Sequence, residues 1–68
     1  MDKEQKYAIG EKVKVCGWVS EDTGIIEDIK WVYHSRVEEY TWGYKIKYDG
    51  EGAGLTLLYV PEGYLRKL

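Results

Sequence analysis

One histidine, His34, and one cysteine, Cys16, are all that this sequence offers in imidazole and thiol chemistry. Zinc takes four protein ligands in a structural site or three in a catalytic one, so this pair alone holds no metal. As base and nucleophile the two would need a third group to orient the imidazole. Cys16 also lies in an alternating stretch, where a buried and inert thiol is the ordinary expectation. The segment Asp49-Gly50-Glu51-Gly52-Ala53-Gly54 lacks the Lys-Ser/Thr pair and the following helix that a phosphate-cradling loop requires, so its glycines read as turn residues. The expectation is a protein with no catalytic residues, no metal and no cofactor.

Recognition chemistry is better represented. Three Trp and seven Tyr stand against no Phe, so every large ring carries a polar handle, a bias that suits rings lying half in and half out of a contact surface. Trp18, Trp42, Tyr59, Pro61 and Tyr64 are the candidate contact residues, with Glu21 and Asp22 as carboxylates that would orient a protein or peptide partner. An aromatic cage around a methylated ammonium is the sharper version, drawn from Trp18, Tyr33, Trp42 and Tyr64 with Glu21 or Asp22 beside them. Core filling competes for Trp42, because it shares the parity of Ile46. Lys12, Lys14, Lys45 and Lys47 are the candidates for a nucleic-acid surface, on the outward faces of two strands. A net charge of −2 and a pI near 5.3 disfavour that partner, since phosphate binding needs concentrated Lys and Arg.

The elements that must carry these residues fit into 68 residues, a length that holds one domain with a thin core. A lone cysteine makes no intramolecular disulfide, so packed Trp and Tyr rings must supply the stability, and a homodimer is the expected second source of burial. No apolar run is long enough to span a bilayer, and the charged start Met1-Asp2-Lys3-Glu4-Gln5-Lys6 has no hydrophobic signal region behind it, which points to a cytoplasmic protein. The free thiol fits a reducing compartment.

Residues 1–6 read as a flexible, solvated tail and residues 7–68 as the folded domain. Val13 and Val15 alternate with Lys12 and Lys14, the period of a strand with one buried side, continuing through Cys16-Gly17-Trp18-Val19 to a turn at Ser20-Glu21-Asp22-Thr23. A second strand spans residues 24–33. Ile26 and Ile29 both point inward only if a β-bulge interrupts the alternation near Glu27-Asp28. Residues 34–39 read as a polar connector. Residues 40–48 form a third strand with Trp42, Tyr44, Ile46 and Tyr48 on one face, and residues 55–60 a fourth that Pro61 stops. A helical turn at Pro61-Glu62-Gly63 precedes a short fifth strand over residues 64–68. Five short strands between turn signals imply an all-β barrel.

The order of these signals resembles the SH3-like barrels, including their Tudor and KOW branches. The hydrophobic-Gly-Glu-x-Val-x-Val opening at Ile9 to Val15 is similar to their first strand, and Gly24-Ile25-Ile26 with Ile29 to their second. Tyr44-x-Ile46-x-Tyr48-Asp49-Gly50 is similar to their third strand and turn, and Val60-Pro61-x-x-Tyr64-Leu65 to their closing strand. The resemblance implies a five-stranded barrel with a short helical turn before the last strand, of a kind also found among small proteins of bacteria and phages. It implies a protein-interaction role, with Pro61 and Tyr64 in the positions that line a polyproline groove, or nucleic-acid binding through the KOW-like branch. Ala-Leu-Tyr-Asp-Tyr and the tandem Trp of the signalling domains are absent. Thr56-Leu57-Leu58-Tyr59 also resembles the active-surface run of the type II dihydrofolate reductases, but Leu57 replaces the glutamine that would recognise ligand.

Overall fold

Alternation of apolar and polar residues over short segments yields five antiparallel strands in a single sheet in the computed structural model, which describes residues 4–18 and 21–68. The strands are β1 (Lys12–Val15), β2 (Asp22–His34), β3 (Glu39–Tyr48), β4 (Thr56–Pro61) and β5 (Leu65–Lys67), in the spatial order β4-β3-β2-β1-β5. The only helical element among the described residues is a 3-10 turn, Glu62–Tyr64, ahead of β5. The all-β class, the strand number and this turn agree with the reading of the sequence.

The inward residues are those the period of two selects. Val13 and Val15 are fully buried while Lys12 and Lys14 are exposed, and Tyr7, Ile26, Tyr44, Ile46, Tyr48, Leu57, Val60 and Leu65 complete the core. Buried tyrosines keep their hydroxyls satisfied: Tyr7 donates to the Leu65 carbonyl at 3.1 Å and Tyr44 to the Glu62 carboxylate at 2.6 Å. That answers why Tyr stands where Phe would ordinarily fill a core, since each hydroxyl ties the 3-10 turn or β5 to the interior. Burial, and then the bond to Glu62, push the Tyr44 hydroxyl far above its ordinary range.

Two bulges shape the sheet. The β2–β3 register passes from Ile26↔Ile46 to Asp28↔Lys45, leaving Glu27 as the extra residue that returns Ile29 to the inward face, as the odd Ile26–Ile29 spacing requires. A second bulge, with no forewarning in the sequence pattern, lies in β4: Tyr44 pairs with Val60 but Ile46 with Leu57. It places Tyr59 in the left-handed region (φ 54°) and turns Leu58 out to solvent. Gly43 makes room for it, because a Cβ there would lie 2.9 Å from both the Tyr59 Cβ and a Val32 methyl.

Several boundaries differ from expectation. β1 starts at Lys12 rather than Ile9, and it ends at Val15 because Gly17 (φ 78°) bends the chain; Val19 and Ser20, the expected continuation and turn start, lie outside the described residues. Asp22 and Thr23 belong to β2, not to a turn. Pro61 is the last residue of β4 rather than the start of a helical turn, its missing N–H falling where the ladder ends. The connector expected over residues 34–39 is present but shorter by one residue at each end. β2 runs to His34 and β3 starts at Glu39, and residues 35–38 form a hairpin loop in which Val37 and Glu38 donate to the His34 carbonyl and Glu38 adopts φ 56°. At the amino-terminal end, the Lys6 N–H donates to Glu62 and Tyr7 enters the core.

Candidate interaction surface

Beyond Lys30 and Gly43, β2 and β3 continue as a two-stranded ribbon, because β1 pairs no further along β2 than Lys12↔Ile25 and β4 no further along β3 than Pro61↔Gly43. Trp31 is the direct cross-strand partner of Trp42, and Tyr33 of Tyr40. The Trp31 and Trp42 rings meet edge to face with centroids 5.1 Å apart, and Tyr33 and Tyr40 meet at 5.5 Å and 87°. Diagonally, Trp31 and Tyr40 lie almost parallel at 6.4 Å. These are the cross-strand pairs that stabilise an antiparallel ribbon. Their burial is graded: Trp42 packs against the core, whereas Tyr33 and Tyr40 are 53% and 59% exposed.

A second aromatic group joins three different loops. Gly17 turns the chain after β1 so that Trp18 meets Tyr64 of the 3-10 turn, ring centroids 5.0 Å apart, while the Cys16 N–H donates to the Tyr64 carbonyl at 2.8 Å. His34 sets its ring edge-on to Trp18 at 5.3 Å. From the hairpin loop, the Arg36 guanidinium lies 4.8 Å from the Trp18 ring centroid and 5.9 Å from that of Tyr64. The Arg36 backbone N–H donates to His34 Nδ1 at 3.2 Å, which makes that nitrogen the acceptor of the imidazole.

The four rings expected to form one cage therefore divide: Trp18 contacts Tyr64, Trp42 contacts Trp31, and Tyr33 contacts Tyr40. Pro61 is fully buried and fills the interior beside Val60, so the expected contact surface loses it, as does a groove that would need its ring at the surface. Asp22 is committed to the fold. Its carboxylate accepts from the Thr23 and Gly52 N–H groups, both at 2.8 Å, and pins the loop between β3 and β4, where a Cβ on Gly50 would collide with it. Glu21 is exposed.

Tyr59 lies apart from both ring groups. Its hydroxyl donates to Asp28 at 2.8 Å, joining the β4 bulge to the β2 bulge, and Lys30 sits over its ring at 4.9 Å. The Tyr59 bond, helped by the Ile29 N–H, holds the Asp28 carboxyl below the usual range. Of the lysines, Lys12 pairs with Asp49 at 3.2 Å and Lys45 stands opposite Asp28. Lys14 is exposed opposite Arg66, and Lys47 is exposed in register with Ile25, the β1 side of which is Lys12.

Trp31, Tyr40 and Arg36 escaped the sequence reading. The signal for the first two was present, in ring pairs of spacing two on either side of a short polar segment, the mark of a hairpin with cross-strand aromatic pairs. Arg36 had none, since cation–ring contact between distant segments leaves no local pattern. Cys16 is half-buried, and among the described residues there is no pocket and no cluster of His, Cys, Asp or Glu able to hold a metal. No described helix is long and apolar enough to cross a membrane. No protein-family model, curated protein or solved structure matches this chain.

Proposed function

We propose that this chain is a non-enzymatic protein-interaction module on an SH3-like barrel, and that its contact surface is the aromatic ribbon of β2 and β3 with the Trp18–Tyr64 group at its side. One observation carries the reading: Tyr33 and Tyr40, cross-strand partners beyond the reach of β1 and β4, keep more than half of their surface in solvent. Exposed tyrosines standing on a ribbon backed by Trp31 and Trp42 are rigid, amphipathic contacts with few rotamers to freeze on binding. The free Cys16 suits a reducing, cytoplasmic setting.

The test compares partners captured from host extract by the full chain and by a Tyr33→Ser/Tyr40→Ser variant that keeps its folded spectrum. Selective loss of a partner supports the reading. Unchanged capture by the variant sinks it.

A nucleic-acid reading has one observation in its favour: Lys14 and Arg66 are direct cross-strand partners, and Lys12 and Lys47 flank Ile25 in one row of the sheet. The ion pair between Lys12 and Asp49 and the net charge of −2 weigh against it. Oligonucleotide binding that fell steeply with salt would favour this second reading. A reductase is the third and weakest, since Leu57, in the position of the ligand-recognising glutamine, is buried in the core.

A further inference from the structure

Arg36 stands in an exposed hairpin loop, yet its guanidinium is turned back over two rings from other parts of the chain. Holding a long side chain in one place costs rotamer freedom, and no carboxylate among the described residues forms an ion pair with it. Its side-chain attraction is to the faces of Trp18 and Tyr64, and such faces attract any cation of that shape.

The geometry points to a cation seat formed by Trp18 and Tyr64, filled in this chain by Arg36 as an internal plug and opened when an arginine side chain of a protein partner displaces it. The inference takes its partner from the interaction-module reading, while its test needs no partner. Three features support it. Plug and seat belong to different elements: Arg36 comes from the β2–β3 loop, Trp18 from the segment after β1, and Tyr64 from the 3-10 turn. The walls are held without the plug, since Trp18 packs on Tyr64 and the Tyr64 carbonyl accepts from the Cys16 N–H. Glu38 and Glu39, exposed in and at the end of the hairpin loop that carries the plug, give that loop negative charge that favours a cationic newcomer. Displacement also releases the hairpin loop from Tyr64, leaving the His34 ring on Trp18 and the loop's own bonds from the Arg36, Val37 and Glu38 N–H groups to His34.

The experiment uses the full chain and N-acetyl-arginine amide as the probe, read by the Trp18 indole and Tyr64 ring resonances. Arg36→Met keeps the length of the side chain but removes its charge. This variant should bind the probe on the order of five- to tenfold more tightly than the wild type, the range a cation–ring contact supports. Arg36→Lys keeps a cation in the seat and should stay close to the wild type, and adding Trp18→Ala to Arg36→Met should abolish binding. In the wild type, saturating probe should shift the Arg36 side-chain Nε resonance toward that of a solvated arginine, an arm that requires no variant to fold. Equal probe affinity in wild type and Arg36→Met, or an Arg36 resonance that stays in place while the probe binds at Trp18, overturns the seat. A partner captured through Tyr33 and Tyr40 with no probe bound by Arg36→Met would refute the seat and leave the module reading intact. Probe binding together with unchanged capture by the Tyr33→Ser/Tyr40→Ser variant would do the reverse.

Discussion

The two halves of the β2–β3 hairpin use the same alternation to different ends. Near Gly24 and Tyr48 the ribbon is flanked by β1 and β4, and its inward residues Ile26, Ile46 and Tyr48 are buried. Near His34 and Glu39 neither flanking strand pairs with it, and residues of the same type of pattern, Tyr33 and Tyr40, remain largely in water. What separates a core residue from a contact residue here is therefore the length of the neighbouring strands rather than the residue's own hydrophobicity. β1 gives out where Gly10 and Glu11 make their last bonds to Ile26, and β4 where Pro61 has no N–H to offer. A short strand next to a long one creates the exposed aromatic face.

The contrast is broken most forcefully at the flanked end. Ile46→Ala should lose about 2–5 kcal/mol of unfolding free energy, as a buried large-to-small change does, measured by denaturant titration. A loss no larger than that of a surface change would mean the flanked half is not a packed core. Next in size is Gly43→Ala, at the junction of the two halves. Its Cβ would press on Tyr59 and Val32, so a destabilisation of about 1–3 kcal/mol is expected for overpacking, with Tyr59 losing its bond to Asp28. An unchanged melting curve would show that the β4 bulge yields freely.

The alkaline limb sharpens the comparison further. The folded state raises the Tyr44 pKa above the ordinary 10.0, so unfolded chains release this proton first and stability falls as pH rises past that value. Tyr44→Phe should start less stable, through loss of the bond to Glu62, and then decline less steeply above that pH. Identical slopes in wild type and variant would assign the alkaline loss to other groups. Smallest of all is Tyr40→Ser, at the unflanked end, which should cost only about 0.2–1 kcal/mol, the worth of a cross-strand pair, while removing partner capture. A core-sized loss of stability there would erase the distinction between the two halves.

Much of the flanked half was legible in the sequence. Val13 and Val15 against Lys12 and Lys14, the inward run Tyr44, Ile46 and Tyr48, and the bulge demanded by the spacing of Ile26 and Ile29 all follow from the period of two, which is a property of local backbone geometry. The unflanked half was legible as two strands joined by a connector, off by one residue at each side of the loop because the polar His34 and Glu39 carry no apolar signal to extend the alternation. The β4 bulge was invisible for a related reason, since Leu57-Leu58-Tyr59-Val60 contains no polar residue to mark the break in alternation.

The candidate site depended even more on what the chain brings together. Composition pointed to an aromatic surface, and Trp18, Trp42 and Tyr64 were among the rings singled out. Their grouping was not announced, because ring contacts such as Trp18 with Tyr64, or Arg36 with both, join segments far apart in the chain. Pro61 and Asp22 looked like surface residues from their types and neighbours, and the structure turned one inward and bound the other to the Gly52 N–H.

By itself, then, the sequence determined an all-β chain of short strands, the faces of β1 and β3, and one bulge, since each follows from side chains two residues apart on an extended backbone. Only the tertiary structure decided which rings are buried and which face water, and which cation lies over which ring. Those outcomes depend on where each strand's neighbours end, and a neighbour's end is set by residues elsewhere in the chain.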